Sequence, residues 1–78
     1  MNESEIRMEL DCRGLKCPMP VIKTRKAIKE LNSGDVLKMI SSDPGSINDI
    51  KAWAKRTGNK LLREDHQQSE FVFIIAKN

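Results

Sequence analysis

With 78 residues, 14 basic and 11 acidic side chains and a net charge of +3, residues 1–78 read as a single small domain. So short a chain buries only about 60–65% of the surface its unfolded form exposes, which leaves no room for a deep pocket. No apolar run approaches the roughly 20 residues that span a bilayer, and the polar, acidic start Met1-Asn2-Glu3-Ser4-Glu5 is unlike a signal or transit peptide, so a cytoplasmic protein is expected.

Ile6, Met8 and Leu10 alternate with Arg7 and Glu9, the pattern of a half-buried strand. From 18 to 31, Val21, Ile28 and Leu31, with Thr24 between and Ile22 widening the stripe, keep helical spacing, while Lys23, Lys26, Lys29 and Glu30 take the wet side. Residues 36–41 form a β-branched and apolar run, a second strand. Ile47, Ile50 and Ala54 mark a second helix, with Asp43 or Ser46 as its cap and Gly58 just past its end. Residues 60–65 and 70–76 read as a hairpin around a loop at 66–69, with Phe71, Phe73 and Ile75 on one face. The order β-α-β-α-β-β predicts an α+β fold: a two-layer sandwich of a mixed four-stranded sheet with both helices on one face.

Two cysteines are too few for a disulfide scaffold and are expected as thiols. Cys17 lies where the loop after the first strand turns into the first helix. Pro18 suits the first helical position, which makes Cys17 the expected N-cap. The helix dipole, with Lys16 and Arg13 nearby in sequence, then favours a thiolate of lowered pKa. The same setting would stabilise an anionic persulfide whose outer sulfur can pass to another thiol. Pro18 and Pro20 stiffen the turn and keep the sulfur presented outward. The plainer reading is a small buried hydrophobe.

The stretch Asp11-Cys12-Arg13-Gly14-Leu15-Lys16-Cys17-Pro18-Met19-Pro20-Val21 resembles the signature of the TusA/SirA-like sulfur-carrier family, with its Cys-Pro-x-Pro motif. The resemblance continues through Arg25-Lys26, Gly34-Asp35 and Ser42-Asp43-Pro44, over about residues 8–77. It implies a small cytoplasmic sulfurtransferase that carries persulfide sulfur on Cys17, between a donor protein (desulfurase, rhodanese or another carrier) and an acceptor protein. The acceptor pathways it implies are tRNA thiolation, molybdenum-cofactor synthesis and dissimilatory sulfur metabolism. It further implies that Pro18, Pro20 and Gly14 support the motif, that Asp11 and Asp43 lie near the site, and that Arg25 and Lys26 serve partner docking. Position 19 is Met, where members linked to tRNA thiolation often carry Glu, so the pathway stays open. A stand-alone monomer without metal or cofactor is expected.

Other residues carry double readings. Cys12 could resolve an oxidised Cys17, or could simply fill a strand end. His66 is expected as a solvated loop residue, and too few ligands accompany it for zinc. The basic helix faces, Lys23, Arg25, Lys26 and Lys29 on the first and Lys51, Lys55 and Arg56 on the second, could meet acidic proteins or tRNA phosphates. Trp53, off the expected stripe, reads as partly exposed. Besides the carrier, two functions remain open: an RNA- or partner-binding module, and a redox protein cycling Cys12 and Cys17.

Overall fold

A computed structural model describes residues 6–78; the acidic stretch Met1-Asn2-Glu3-Ser4-Glu5 lies outside the described residues. The elements are β1 (Ile6–Cys12), α1 (Met19–Ile28), β2 (Val36–Ser41), α2 (Gly45–Thr57), β3 (Lys60–His66) and β4 (Phe71–Ala76). They build one mixed sheet in the order β1-β2-β4-β3, with β1 parallel to β2 and the other pairs antiparallel. Leu37, Met39, Phe73 and Ile75 from one sheet face pack in the main core with Ala27 and Ile28 of α1 and Ile50, Trp53 and Ala54 of α2. Both helices therefore cover the same face, as the α+β expectation requires.

Period-two alternation sets this face. Met8, Leu10 and Cys12 of β1 turn toward the helices, while Arg7, Glu9 and Asp11 stay exposed. Ile6 departs from the expected pattern. A register shift between Ile6 and Met8 lets it join Val36, Ile74 and Ala76 in a second cluster. One extra residue in a strand is enough to turn a side chain to the opposite face.

The buried stripe of α1 is Pro20, Thr24, Ala27 and Ile28. The Thr24 hydroxyl donates to the Pro20 carbonyl at 2.8 Å, so its burial leaves no polar atom unsatisfied. Leu31 lies beyond the helix but is still buried. The stripe of α2 is Ser46, Ile50, Trp53 and Ala54, rotated from the expected one. Trp53 is only 2% exposed and fills the core, which corrects the expectation that it is partly exposed. Ser46 can face inward because its hydroxyl donates to the Asp43 carbonyl at 2.6 Å. At the other end Gly58 takes φ +79 and closes α2 by donating to Ala54 O at 2.9 Å.

His66 is not in a loop. It ends β3 opposite Phe71, pairs with the Glu64 carboxylate and meets the Phe71 ring edge-on at 5.6 Å. The strand runs one residue longer than expected because this cross-strand contact covers part of the imidazole.

Candidate functional site

Because β1 and β2 are parallel and adjacent, with Cys12 opposite Ser41, their carboxyl ends finish side by side. The loops leaving them are therefore neighbours, an arrangement that commonly forms a site in α/β sheets. Gly14, at φ +83, donates its N–H to the Ser42 hydroxyl at 2.8 Å and joins the two loops. Leu15 N–H returns to Cys12 O at 3.2 Å and Met19 N–H to Lys16 O at 2.9 Å, so the segment between β1 and α1 is a pair of tight turns. Cys17 is exposed at the end of this segment, and its bond to Pro18 is cis.

Cys17 stands one residue ahead of its expected place. The N-cap of α1 is Pro18, and Pro20 is buried at the second helical position. Two carboxylates from distant sequence hold the cysteine. Asp43 accepts the Cys17 N–H at 2.6 Å, across 26 residues. The thiol itself donates to the carboxylate of Asp49, on α2 and 32 residues away. Gly45 lies so close beneath that a Cβ there would sit 3.3 Å from Cys17 Cβ.

The electrostatics correct the expected thiolate. The Cys17 thiol is pushed up from its ordinary range, first by its hydrogen bond to Asp49, then by desolvation and by the charges of Asp49 and Asp43. A helix terminus offers about half a positive charge spread over several N–H groups. A full negative charge in hydrogen-bond contact outweighs it. Arg13, expected to assist the thiolate, is engaged elsewhere: its guanidinium holds Asp11 at 2.9 Å and Glu70 at 3.4 Å. That grip, mainly the side-chain hydrogen bond, lowers Asp11 to about 2. Among the described residues every hydrogen bond that the Asp11 carboxylate accepts comes from Arg13, so the pair braces its own loop and, through Glu70, the segment just ahead of β4 rather than the sulfur.

Lys16 is exposed and lines a shallow groove of about 320 Å³ with Gly14, Leu15, Ser42, Asp43 and Pro44. Met19 is 41% exposed, two residues beyond the thiol. Arg25 and Lys26 occupy the last turn of α1 and are exposed. Cys12 has no exposed surface and belongs to the core; burial pushes its thiol up. Asp43 was expected as a cap of α2 or a shaper of the loop. The cap position falls on Pro44, and Asp43, just before it, accepts the Gly45 N–H at 3.3 Å as well as that of Cys17. Among the described residues no group of three or more His, Cys, Asp or Glu could hold a metal ion.

Asp49 escaped the sequence reading. Its one signal is that it lies four residues after Gly45, on the same side of α2. Only the fold shows that this side faces Cys17.

An exposed cysteine held by two carboxylates at paired strand ends defines a small thiol-bearing α+β domain. A family model described as sulfurtransferase TusA matches residues 8–77, and the chain belongs to that family of sulfur carriers. It is 40% identical to the sulfur carrier protein TusA of Allochromatium vinosum over 75 residues, covering 96% of this chain and 99% of that one. A putative sulfur carrier protein of Bacillus subtilis, YrkI, is 43% identical over 68 residues, 87% of this chain and 91% of its own. The crystal structure of a SirA-like protein from Desulfitobacterium hafniense superposes with a TM-score of 0.75 at 26% identity, covering 91% of this chain and 99% of that one.

Proposed function

We propose that Cys17 carries the sulfur, as a persulfide, between a donor protein and an acceptor protein. The supporting observation is the exposed Cys17 thiol, raised on a loop braced by Ser42 and Asp43 of the segment between β2 and α2 and by Asp49 of α2. In loading, Cys17 sulfur attacks the outer sulfur of a donor persulfide. A new S–S bond forms, the donor's S–S bond breaks, and the donor leaves as a thiol once a proton reaches it. Delivery repeats the exchange with Cys17 as the leaving group.

The surrounding residues take supporting parts in this reading. Gly14, Pro18 and Pro20 fix the loop, Asp43 anchors the Cys17 backbone, and Arg13, held by Asp11, ties the loop to Glu70 just ahead of β4. Lys16, Arg25 and Lys26 offer positive charge to docking partners. The domain acts as a monomer, handing sulfur to whichever partner docks. Both cysteines are free, which fits a reducing, cytoplasmic setting. No helix among the described residues is long and apolar enough to cross a membrane. A Cys12–Cys17 redox cycle would require Cys12 to leave the core, so the carrier reading is preferred.

Intact-mass spectrometry after incubation with glutathione persulfide tests it. Wild type gains one sulfur, about 32 Da, removed by reductant. Cys17→Ser gains none, whereas Cys12→Ala still loads. Loading of Cys17→Ser at the wild-type level would overturn the assignment.

A further inference from the structure

The hydrogen bond between the Cys17 thiol and Asp49 poses a chemical problem for a carrier. Sulfur exchange needs a thiolate at the moment of attack. Yet the groups facing the sulfur hold it as a neutral thiol. They are Asp49 from α2 and Asp43 from the loop ahead of α2. The first turn of α1 adds no acidic residue, Arg13 is engaged by Asp11 and Glu70, and Lys16 lies along the groove with Asp43. The proton must leave as the new bond forms, so an acceptor in hydrogen-bond contact is required. Asp43 accepts from the Cys17 and Gly45 N–H groups. Asp49 alone among the described residues takes the thiol's hydrogen bond.

We propose that Asp49 is a catalytic residue of this carrier, accepting the Cys17 proton during sulfur exchange and returning it to the departing thiol. The proposal rests on Cys17 as the carrier thiol. The step balances as follows: Cys17–SH and a donor R–S–SH become Cys17–S–SH and R–SH. The Cys17 S–H electron pair forms the new S–S bond to the outer sulfur, which keeps its own hydrogen. The donor sulfur leaves with the pair of the broken S–S bond and takes the proton from Asp49. No net oxidation or reduction occurs. Delivery to an acceptor thiol reverses the roles, with Asp49 supplying the proton to Cys17 as it leaves.

The placement of Asp49 suits the task. It is only partly buried, on the second turn of a helix whose Ile50 and Trp53 are locked in the core. The carboxylate is thus carried by a rigid element, while Cys17 is on a braced loop. The same contact also keeps the idle thiol protonated, and so less prone to chance oxidation.

The test compares wild type, Asp49→Asn and Asp49→Glu in two assays, with circular dichroism to confirm folding. In the first, Cys17 alkylation by iodoacetamide is followed against pH. In the second, sulfur uptake from glutathione persulfide is timed by intact mass. Removing the negative charge moves the alkylation profile of Asp49→Asn to lower pH, making the thiol intrinsically more acidic. Uptake nonetheless slows by about tenfold or more, since positioned proton transfer typically contributes 10²–10⁴-fold and the larger thiolate fraction offsets part of it. Asp49→Glu, which restores a carboxylate, is faster than Asp49→Asn. Uptake by Asp49→Asn at or above the wild-type rate, an unmoved alkylation profile, or Asp49→Glu no faster than Asp49→Asn each overturns the proposal. Wild type taking up no sulfur would instead remove the carrier reading, and this proposal with it.

Discussion

Asp43 is the residue on which the site converges. Its carboxylate accepts from the N–H groups of Cys17 and Gly45, and its carbonyl accepts from the N–H and hydroxyl of Ser46. One side chain thus joins the cysteine loop to the start of α2. Asp11 works locally by comparison, clasped by Arg13 and held at about 2. A carboxyl depressed in the folded state contributes stability above its unfolded value, and that contribution is lost as pH falls through the folded value. Asp11→Asn is therefore expected to flatten the acid limb of stability between about pH 4 and pH 2. The effect is small, since the side chain is 60% exposed and salt screens it. Urea titrations at low salt, at pH 5 and pH 2, read it; equal losses in both proteins would show that the Arg13 grip adds nothing. At this scale the sequence placed Cys17, Arg13 and Asp11 in one segment but not their charges. Arg13 turns to its neighbour Asp11 and to Glu70, 57 residues on and just ahead of β4, and Cys17 turns to Asp49 of α2, so the long-range partners are set by the fold.

Among the elements, α2 shows how a stripe can be misread by one position. Ile47, Ile50 and Ala54 do pack on the core, yet the buried face is Ser46, Ile50, Trp53 and Ala54, with Ile47 only partly buried at its margin. A serine looks like a surface residue until a backbone acceptor, here Asp43 O, satisfies it. With Ser46 inside, the largest side chain of the helix turns inward too. The end of α2 was legible, because only glycine takes a left-handed backbone without cost. Gly58→Ala meets both that penalty and Asn78, whose side-chain nitrogen lies 2.8 Å from the added Cβ. A loss of about 1 kcal/mol in urea unfolding is expected, with sulfur uptake unchanged, since Gly58 closes the end of α2 opposite Cys17. Wild-type stability in this variant would mean that the terminal turn relaxes freely.

For the molecule as a whole, the main core binds both helices to one sheet face through Leu37, Met39, Phe73, Ile75, Ile50 and Trp53. Trp53→Ala is expected to lose about 3–5 kcal/mol, a large share of the roughly 4–12 kcal/mol a chain this size can hold. Urea titration followed by far-ultraviolet circular dichroism reads the loss; under 1 kcal/mol would place Trp53 at the edge after all. The alternation of apolar residues determined by itself which segments are strands or helices, and hence the two layers, because periods of 2 and 3.6 each expose one apolar face. The motif around Cys17 likewise marked the cysteine and its family. Only the tertiary structure decided the strand order β1-β2-β4-β3, since alternation says which face is buried but not which neighbour pairs. It also decided the chemistry of the thiol. The parallel pairing of β1 with β2 sets the cysteine loop against the start of α2, and brings Asp43 and Asp49 to Cys17 from 26 and 32 residues away. Electrostatic contact acts through space, so no local pattern could foretell that the helix-tip cysteine would rest as a neutral thiol.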